Sequence, residues 1–401
     1  MSVPRKYRHL GDFHKYYSGE YRAPVLTLVI GGNHEASNYL FELYHGGWLA
    51  HNIYYLGAAG VIRYGPWRIA GLSGIYDTRD YHKPHHERLP YDRTTMKSIY
   101  HVREYDVQKL LSVTGHVDIA LSHDWPAWVE LFGDYDGLYK SKPTFFESAK
   151  KDGLGSKAAT QLLDHLRPPY WFSGHMHVRF AATVQHEKSS ISQTIKRLPV
   201  AETMKAVLPV FKSKYTVAVS SAAPGMQLTQ NDVTQFLALG KVGQDQHEYL
   251  DLLQLDPPEL GSHEQPYFEK TVDGKHSLYY DEEWLAVTRA YNDSLHLTDP
   301  NTFVVPPAQP NQKPLSARTI NEHRVWVHEH ITKKELLKIP ENFTAHAPIY
   351  SPYIASPDEQ PVEYPNVQTA SFANLLQIEN KFEIIEQDDD AGDDDSNILF
   401  G

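Results

Sequence analysis

Pro24-Val25-Leu26-Thr27-Leu28-Val29-Ile30-Gly31-Gly32-Asn33-His34-Glu35 begins almost wholly apolar and turns polar after two glycines. A short apolar run bounded by turn residues predicts a buried strand, and buried strands favour a parallel or mixed sheet with covered faces. Two later stretches repeat the pattern. Val117 to Ser122 is followed by His123-Asp124, and Pro169 to Ser173 by Gly174-His175-Met176-His177. Between them, Gly155 to Leu166 places Ala158, Leu162, Leu163 and Leu166 on one helical face and stops before Pro168. Glu104 to Val113 predicts another helix, and Ile53 to Arg63 with Trp67 to Ser73 a strand pair about a Tyr64-Gly65-Pro66 turn. Strands alternating with helices predict an α/β layered fold.

Composition narrows the chemistry. Of 401 residues 41% are hydrophobic, enough to fill a core, and none is cysteine. Disulfides, zinc fingers, iron–sulfur clusters and thiol catalysis are thereby excluded, and any metal needs nitrogen and oxygen ligands. No apolar run approaches the ~20 residues of a membrane span, and no leader-like h-region follows Met1. The expectation is a soluble protein of a reducing compartment. The net charge of -12 is unevenly spread: residues 1–187 hold 21 Lys+Arg against 19 Asp+Glu and 15 of the 23 histidines, and the remainder carries the acidity. An acidic whole therefore does not exclude a nucleic-acid partner for the first part.

All three polar clusters follow strands, where loops converge in an open α/β sheet. On an extended segment, His-x-His points both rings to one side. Neutral imidazoles and an amide oxygen suit Mn, Fe or Zn. Each signal alone has an ordinary explanation: a hydrogen-bonding strand-end histidine, an Asn in a turn, a chance spacing among 23 histidines. Three in the same context point to a metal centre.

The order of these clusters resembles that of the calcineurin-like metallophosphoesterases, whose motifs run D-x-H, G-D, G-N-H-E, H and G-H-x-H. Gly32-Asn33-His34-Glu35, His123 and Gly174-His175-Met176-His177 match the last three. Within that superfamily the chain is similar to the RNA lariat debranching enzymes, through Tyr16-Tyr17-Ser18-Gly19-Glu20, Gly46-Gly47-Trp48, Asn52 to Gly57, Gly71 to Ile75, Ser98 to Arg103 and Leu121 to Pro126. The resemblance is near continuous from Val3 to about His186 and returns at Thr234 to Lys241 and around Tyr279 to Leu285. It implies hydrolysis of the 2′,5′-phosphodiester at the branch of lariat RNA, with divalent Mn, Fe or Zn as cofactor, branched RNA as partner and the nucleus as location. Asn33, His123 and His175 are then expected on one metal and His177 on its neighbour, with His34 the general acid. Glu35 and Asp124 are expected to orient imidazoles.

The resemblance also implies a difference at the front. The family opens with D-x-H and G-D before G-N-H-E, and this sequence starts beyond both. The expected fold is therefore an αββα sandwich lacking its first β-α-β portion, with a smaller C-terminal domain. Gly11-Asp12-Phe13-His14 contains both motifs literally, but the charged Arg5 to Leu10 before it is no buried strand, and Gly133-Asp134 comes in the wrong order. An incomplete gene model is one expectation; an inactive relative that binds branched RNA, or a generic phosphoesterase, are the alternatives.

Ser73 to Arg103 interleaves Tyr, His, Arg and Lys, the residues that stack on splayed bases and neutralise phosphates. The resemblance makes it the lariat-recognition loop, with Tyr81, His82, Lys83, His85, His86 and Arg103 as candidates; Lys140-Ser141-Lys142 reads equally as a further phosphate contact or as an ordinary exposed loop. The expected divisions are a catalytic domain over 1–187, an insertion over 188–233, a C-terminal domain over 234–298 with strands at Thr234 to Leu239 and Tyr249 to Leu255 and a helix at Asp281 to Tyr291, and a Pro-rich, acidic, largely disordered tail over 299–401.

Overall fold

The α/β expectation is met in a computed structural model, which describes residues 10–186, 231–242, 249–258, 275–297, 314–353 and 360–383. Its strands are β1 (Thr27–Val29), β2 (Gly47–Ala50), β3 (Ile53–Tyr55), β4 (Ala59–Tyr64), β5 (Trp67–Leu72), β6 (Ile119–Ser122), β7 (Tyr170–Ser173), β8 (Phe180–Gln185), β9 (Val233–Ala238) and β10 (Leu278–Tyr280). Its α-helices are α1 (Phe13–Tyr17), α2 (Ser37–Glu42), α3 (Thr95–Ser98), α4 (Glu104–Leu111), α5 (Tyr135–Ser141), α6 (Pro143–Lys150), α7 (Lys157–Leu166), α8 (Glu282–Tyr291), α9 (Ala317–His330) and α10 (Val367–Leu376). No described helix is long and apolar enough to cross a membrane.

Seven strands form the larger sheet in the order β10-β4-β5-β6-β7-β9-β8, and β1-β3-β2 form the smaller one. The run β5-β6-β7-β9 is parallel, with Leu72, Ser122, Ser173 and Ala238 side by side at its carboxyl ends. Leu28 and Ile30 from the small sheet meet Ile62, Ile69, Ile119 and Leu121 from the large one, so the two sheets pack face to face. On the other face of the large sheet, Val107 and Leu110 of α4 and Leu162 and Leu163 of α7 join Val61, Ala70, Ala120 and Trp171 in the main core. Tyr39 and Leu40 of α2 cover the small sheet against Leu49 and Tyr55.

The helices end where their chemistry dictates. Ser156 caps α7 through the Ala159 N–H at 3.1 Å, and Asp281 caps α8 through Trp284 at 3.0 Å. Asp281 and Glu283 also hold Arg68 of β5, at 2.6 and 2.8 Å, with all three side chains nearly inaccessible. This buried ion cluster ties α8 to the β4–β5 hairpin.

Several expectations are corrected. The strand over 24–30 is only three residues long and half-buried, because β1 lies at the edge of the small sheet. The single strand over 53–63 divides into β3 and β4, which enter different sheets. Tyr249 to Leu255 is not a strand; Leu250 and Leu252 are exposed. The insertion falls largely on residues outside those described. A boundary between 1–187 and 234–298 does not divide the sheet, since β9 lies between β7 and β8 and β10 pairs with β4.

Within 314–353 and 360–383 the chain holds more structure than its prolines predict. Val327 and Ile331, in and just after α9, and Phe372 and Leu376 of α10 are buried against Leu285 and Ala286 of α8. The Gln368 side chain accepts from the Trp48 N–H at 2.7 Å and donates to the Trp48 carbonyl at 2.9 Å, so α10 extends the hydrogen bonding of β2. The acidic clusters at 388–395 lie outside the described residues.

Candidate metal centre

The turn after β1 is pinned before any functional group is reached. Gly31 donates to Ser73 Oγ at 3.0 Å and accepts from Gly74 at 2.8 Å. Gly32 is required by close approach: a Cβ there would lie 2.5 Å from His123 Cε1. The Glu35 carboxylate accepts from the N–H groups of Gly32 and His34, at 2.9 and 3.0 Å, and closes the loop on itself. Glu35 thus orients backbone, not an imidazole.

His123 leaves β6 beside this turn, with its Nε2 3.1 Å from Asn33 Oδ1. Its carbonyl accepts from Gly174 N–H at 3.0 Å, which joins the two loops carrying histidines. Below them, Ser122 Oγ and Ser173 Oγ are 2.9 Å apart, Trp171 Nε1 donates to Ser122 Oγ at 2.9 Å, and Trp125 Nε1 donates to the Gly174 carbonyl at 2.8 Å. His175 follows with its ring centroid 5.0 Å from that of His123.

His175 and His177 do not lie on an extended segment. Both adopt left-handed backbone, with φ of 59° and 55°. Such conformations cost on the order of 1 kcal/mol each for a side chain with a Cβ, and they gather at ligand-binding sites. The rings reach the site through a tight turn, not through strand alternation.

Burial, reinforced by neighbouring imidazoles, pushes His123 and His175 down to about 4. His177 is also lowered, by burial first and then by Lys241, His34 and Lys142. The rings are neutral at pH 7, as metal ligation requires. Asp124 is buried and raised to about 7. One of its oxygens accepts weakly from Tyr76 N–H at 3.4 Å and the other has no protein partner, so Asp124 does not orient an imidazole either.

The donors fit a divalent ion: an amide oxygen and neutral imidazoles converge on one loop cluster, backed by a hydrogen-bonded scaffold. The three histidines do not form a group whose ligand atoms all lie within 4.8 Å of one another. Among the described residues, the one group of three or more His, Asp or Glu with ligand atoms all within 4.8 Å is Asp77, Asp80 and His101. That group was not singled out in the sequence, where it sits within the proposed recognition loop. Its carboxylates are engaged: Asp77 with Arg79 at 2.5 Å, and Asp80 with Lys83 and His101 at 2.7 Å each. A cavity of about 50 Å³ behind the Gly31–Gly32 turn is lined by Leu40, Tyr44, Tyr55, His85 and Asp106, not by the candidate ligands.

Asp12, exposed, precedes α1, and His14, half-buried, lies within it with its ring edge-on to Tyr350. Asp134 caps α5 through Gly137 N–H at 2.9 Å. The recognition-loop candidates are turned inward more than expected. Tyr81, His85, His86 and Arg103 are buried. His85 Nε2 is 3.0 Å from Asp106, Arg103 pairs with Glu87, and Lys83 pairs with Asp80. His82 is the most open of the six, and its Nδ1 is 2.7 Å from Glu104.

Residues 231–381 match a family model described as the lariat debranching enzyme, C-terminal domain, well beyond the expected limit at 298. The chain is 39% identical to a lariat debranching enzyme of Arabidopsis thaliana, over 94% of this chain and 74% of that protein. It is 36% identical to one of Schizosaccharomyces pombe, over 95% of this chain and 87% of the relative. With the human lariat debranching enzyme it shares 38% identity over 94% of its own length and 60% of the human protein.

Proposed function

The chain belongs to the lariat debranching enzyme family, and from that premise we propose that it hydrolyses the 2′,5′-phosphodiester at the branch point of lariat RNA in a metal-dependent reaction. The observation that carries this reading is the meeting of Asn33, on the turn after β1 of the small sheet, with His123 and His175, which follow the adjoining strands β6 and β7 of the large one. The motif order, read as that of a metallophosphoesterase, supports the same assignment.

Asn33, His123 and His175 would hold one divalent ion and His177 a neighbouring one. When bound, such ions supply a nucleophile at neutral pH and neutralise charge on the phosphoryl oxygens. The protein's own contribution is positional. The serine–tryptophan network under Gly174 fixes the imidazoles before substrate arrives, and preorganised ligands need no rearrangement during reaction. His34 is exposed next to Asn33, and its loop is closed by Glu35. From there its ring delivers a proton to the departing 2′-oxygen as the bond to phosphorus breaks.

Branched RNA is a nuclear product of intron removal, so the reading extends to intron turnover in the nucleus. The test is turnover of a synthetic 2′,5′-branched RNA by the Mn-loaded chain, beside linear 3′,5′ RNA of the same sequence. Cleavage at the branch alone is the expected result. Hydrolysis of simple phosphate esters without branch cleavage would replace the reading with a generic phosphoesterase. Tight binding without turnover would replace it with a branched-RNA-binding protein.

A further inference from the structure

A cavity of about 280 Å³ lies at one side of the sandwich, where β2 and β10, outer strands of the two sheets, meet α10. That is close to the lower bound of small-molecule sites, about 300 Å³. The cavity behind the Gly31–Gly32 turn, at about 50 Å³, is far below it. The walls of the larger one are pinned. Trp48 Nε1 donates to the Pro340 carbonyl at 2.8 Å, and Gln368 of α10 holds the Trp48 backbone. Tyr280 N–H donates to the Leu337 carbonyl at 2.8 Å and Ile339 N–H to the Leu278 carbonyl at 2.9 Å, which fixes 337–339 antiparallel beside β10.

Five of the polar side chains lining this frame are Tyr280, Glu335, Lys338, Asn342 and Ser371. None of the five has a hydrogen-bond or ion-pair partner among the described residues. For the exposed Glu335, Lys338 and Ser371 that is ordinary. For Tyr280 and Asn342, both half-buried, it is not, since such hydroxyls and amides normally find a partner. Leu336, Ile339 and Leu375 complete an apolar wall. Apolar walls with a few convergent polar groups mark a ligand site.

The donors and acceptors select the ligand. Lys338 suits a phosphate, Glu335 accepts from hydroxyls, and the Asn342 amide offers a donor and an acceptor side by side, as a base edge requires. The face of a base suits the apolar wall. Position agrees with chemistry. Gly47 on the rim and Val29, which leads into the Asn33 turn, both register with Tyr55 of β3. They are therefore level and two strand spacings, about 10 Å, apart. We propose that this cavity binds one ribonucleotide, with Lys338 on its phosphate, Glu335 on its ribose hydroxyls and Asn342 on its base edge. The site stands by itself; its use as a hold on a neighbouring nucleotide of branched RNA rests on the function proposed above.

The experiment titrates AMP into the Mn-loaded full chain by calorimetry. Lys338→Ala and Asn342→Ala should each weaken binding about tenfold. Ser371→Phe, which fills the cavity from an exposed helical position, should abolish it, and His123→Ala should leave it unchanged. AMP should bind more tightly than dAMP, and Glu335→Ala should erase that preference. A parent that binds no AMP at millimolar concentration would overturn the proposal. So would binding lost in His123→Ala but retained in Lys338→Ala, which would put the nucleotide at the metal centre. Hydrolysis-resistant branched RNAs with arms of increasing length then separate the sources. A gain in affinity on lengthening that Ser371→Phe removes assigns the cavity to the substrate strand; AMP binding without such a gain assigns it to a free nucleotide. Neither measurement depends on turnover, so the hydrolytic reading can fail without the site.

Discussion

Gly32→Ala is the sharpest test of how the site is assembled. Nothing in the backbone forbids alanine there, since φ lies outside the left-handed region that favours glycine, so the added methyl acts alone. That methyl would stand 2.5 Å from His123 Cε1, 2.7 Å from Nδ1 and 2.8 Å from Nε2. Carbon–carbon contact needs about 3.5 Å, so the ring must retreat by about 1 Å. The retreat pulls Nε2 from its 3.1 Å station beside Asn33. A misplacement of about 1 Å in a reacting assembly lowers the rate by about a hundredfold, or about 2.7 kcal/mol of transition-state stabilisation. The assay is kcat/KM on branched RNA together with bound Mn per chain, and both should fall. Gly31→Ala is the comparison. Its methyl would meet the movable end of Leu40 at 2.8 Å, and the loss should stay under tenfold. A Gly32→Ala chain with parental turnover and parental Mn content would refute the assignment of His123 as a ligand.

Other consequences separate ligation from proton transfer and site from scaffold. His123→Ala and His175→Ala should lose bound Mn by elemental analysis, whereas His34→Ala should keep the metal and lose about 10²–10⁴-fold in turnover. Arg68→Met leaves Asp281 and Glu283 buried without their guanidinium and should lower stability by about 3–5 kcal/mol in denaturant titrations at pH 7. In the parent, burial alone would raise Asp281, but Arg68 and Arg63 outweigh it and hold the carboxyl at about 2. Its contribution is therefore complete above its ordinary value of 3.8 and is lost as pH falls toward 2. Glu130 behaves oppositely. Burial raises it from 4.5 to about 7, so parental stability declines as pH climbs through that interval. Glu130→Gln retains an acceptor for the Tyr139 hydroxyl, at 3.2 Å in the parent, and should stabilise the chain by up to about 3 kcal/mol at pH 8.

The parts of this architecture legible in sequence are those whose environment is uniform. β6 and β7 sit between helices and a second sheet, so every residue had reason to be apolar, and α7 packs a single stripe beneath them. β1 reads as equally buried but lies at an edge, and an apolar run carries no record of how many neighbours it has. Helix α9 was missed because it buries only Ile320 and Val327 along fourteen residues. The metal-site loops were legible as residue types, but the turn that presents His175 and His177 was not, since left-handed backbone at a histidine has no sequence signature. In the recognition loop the error was one of direction. Tyr, His and Arg grip RNA and fill cores with equal ease, and what turned His85 and Arg103 inward were Asp106 and Glu87, two of many carboxylates near in sequence.

The position of β9 bears on how the protein is made. β7 and β8 are separated by only a short turn in sequence, yet neither bonds the other; β9 is threaded between them from the far side of an intervening stretch of more than forty residues. During synthesis from the amino end, β7 therefore waits with one row of amide groups unbonded until residue 238 has cleared the ribosome. On the opposite flank β4 waits longer still, until residue 280. A nascent chain of this design is sticky at both margins for most of its elongation, and a cell that stalls on its message would release a fragment bearing every candidate histidine but no finished sheet to hold them.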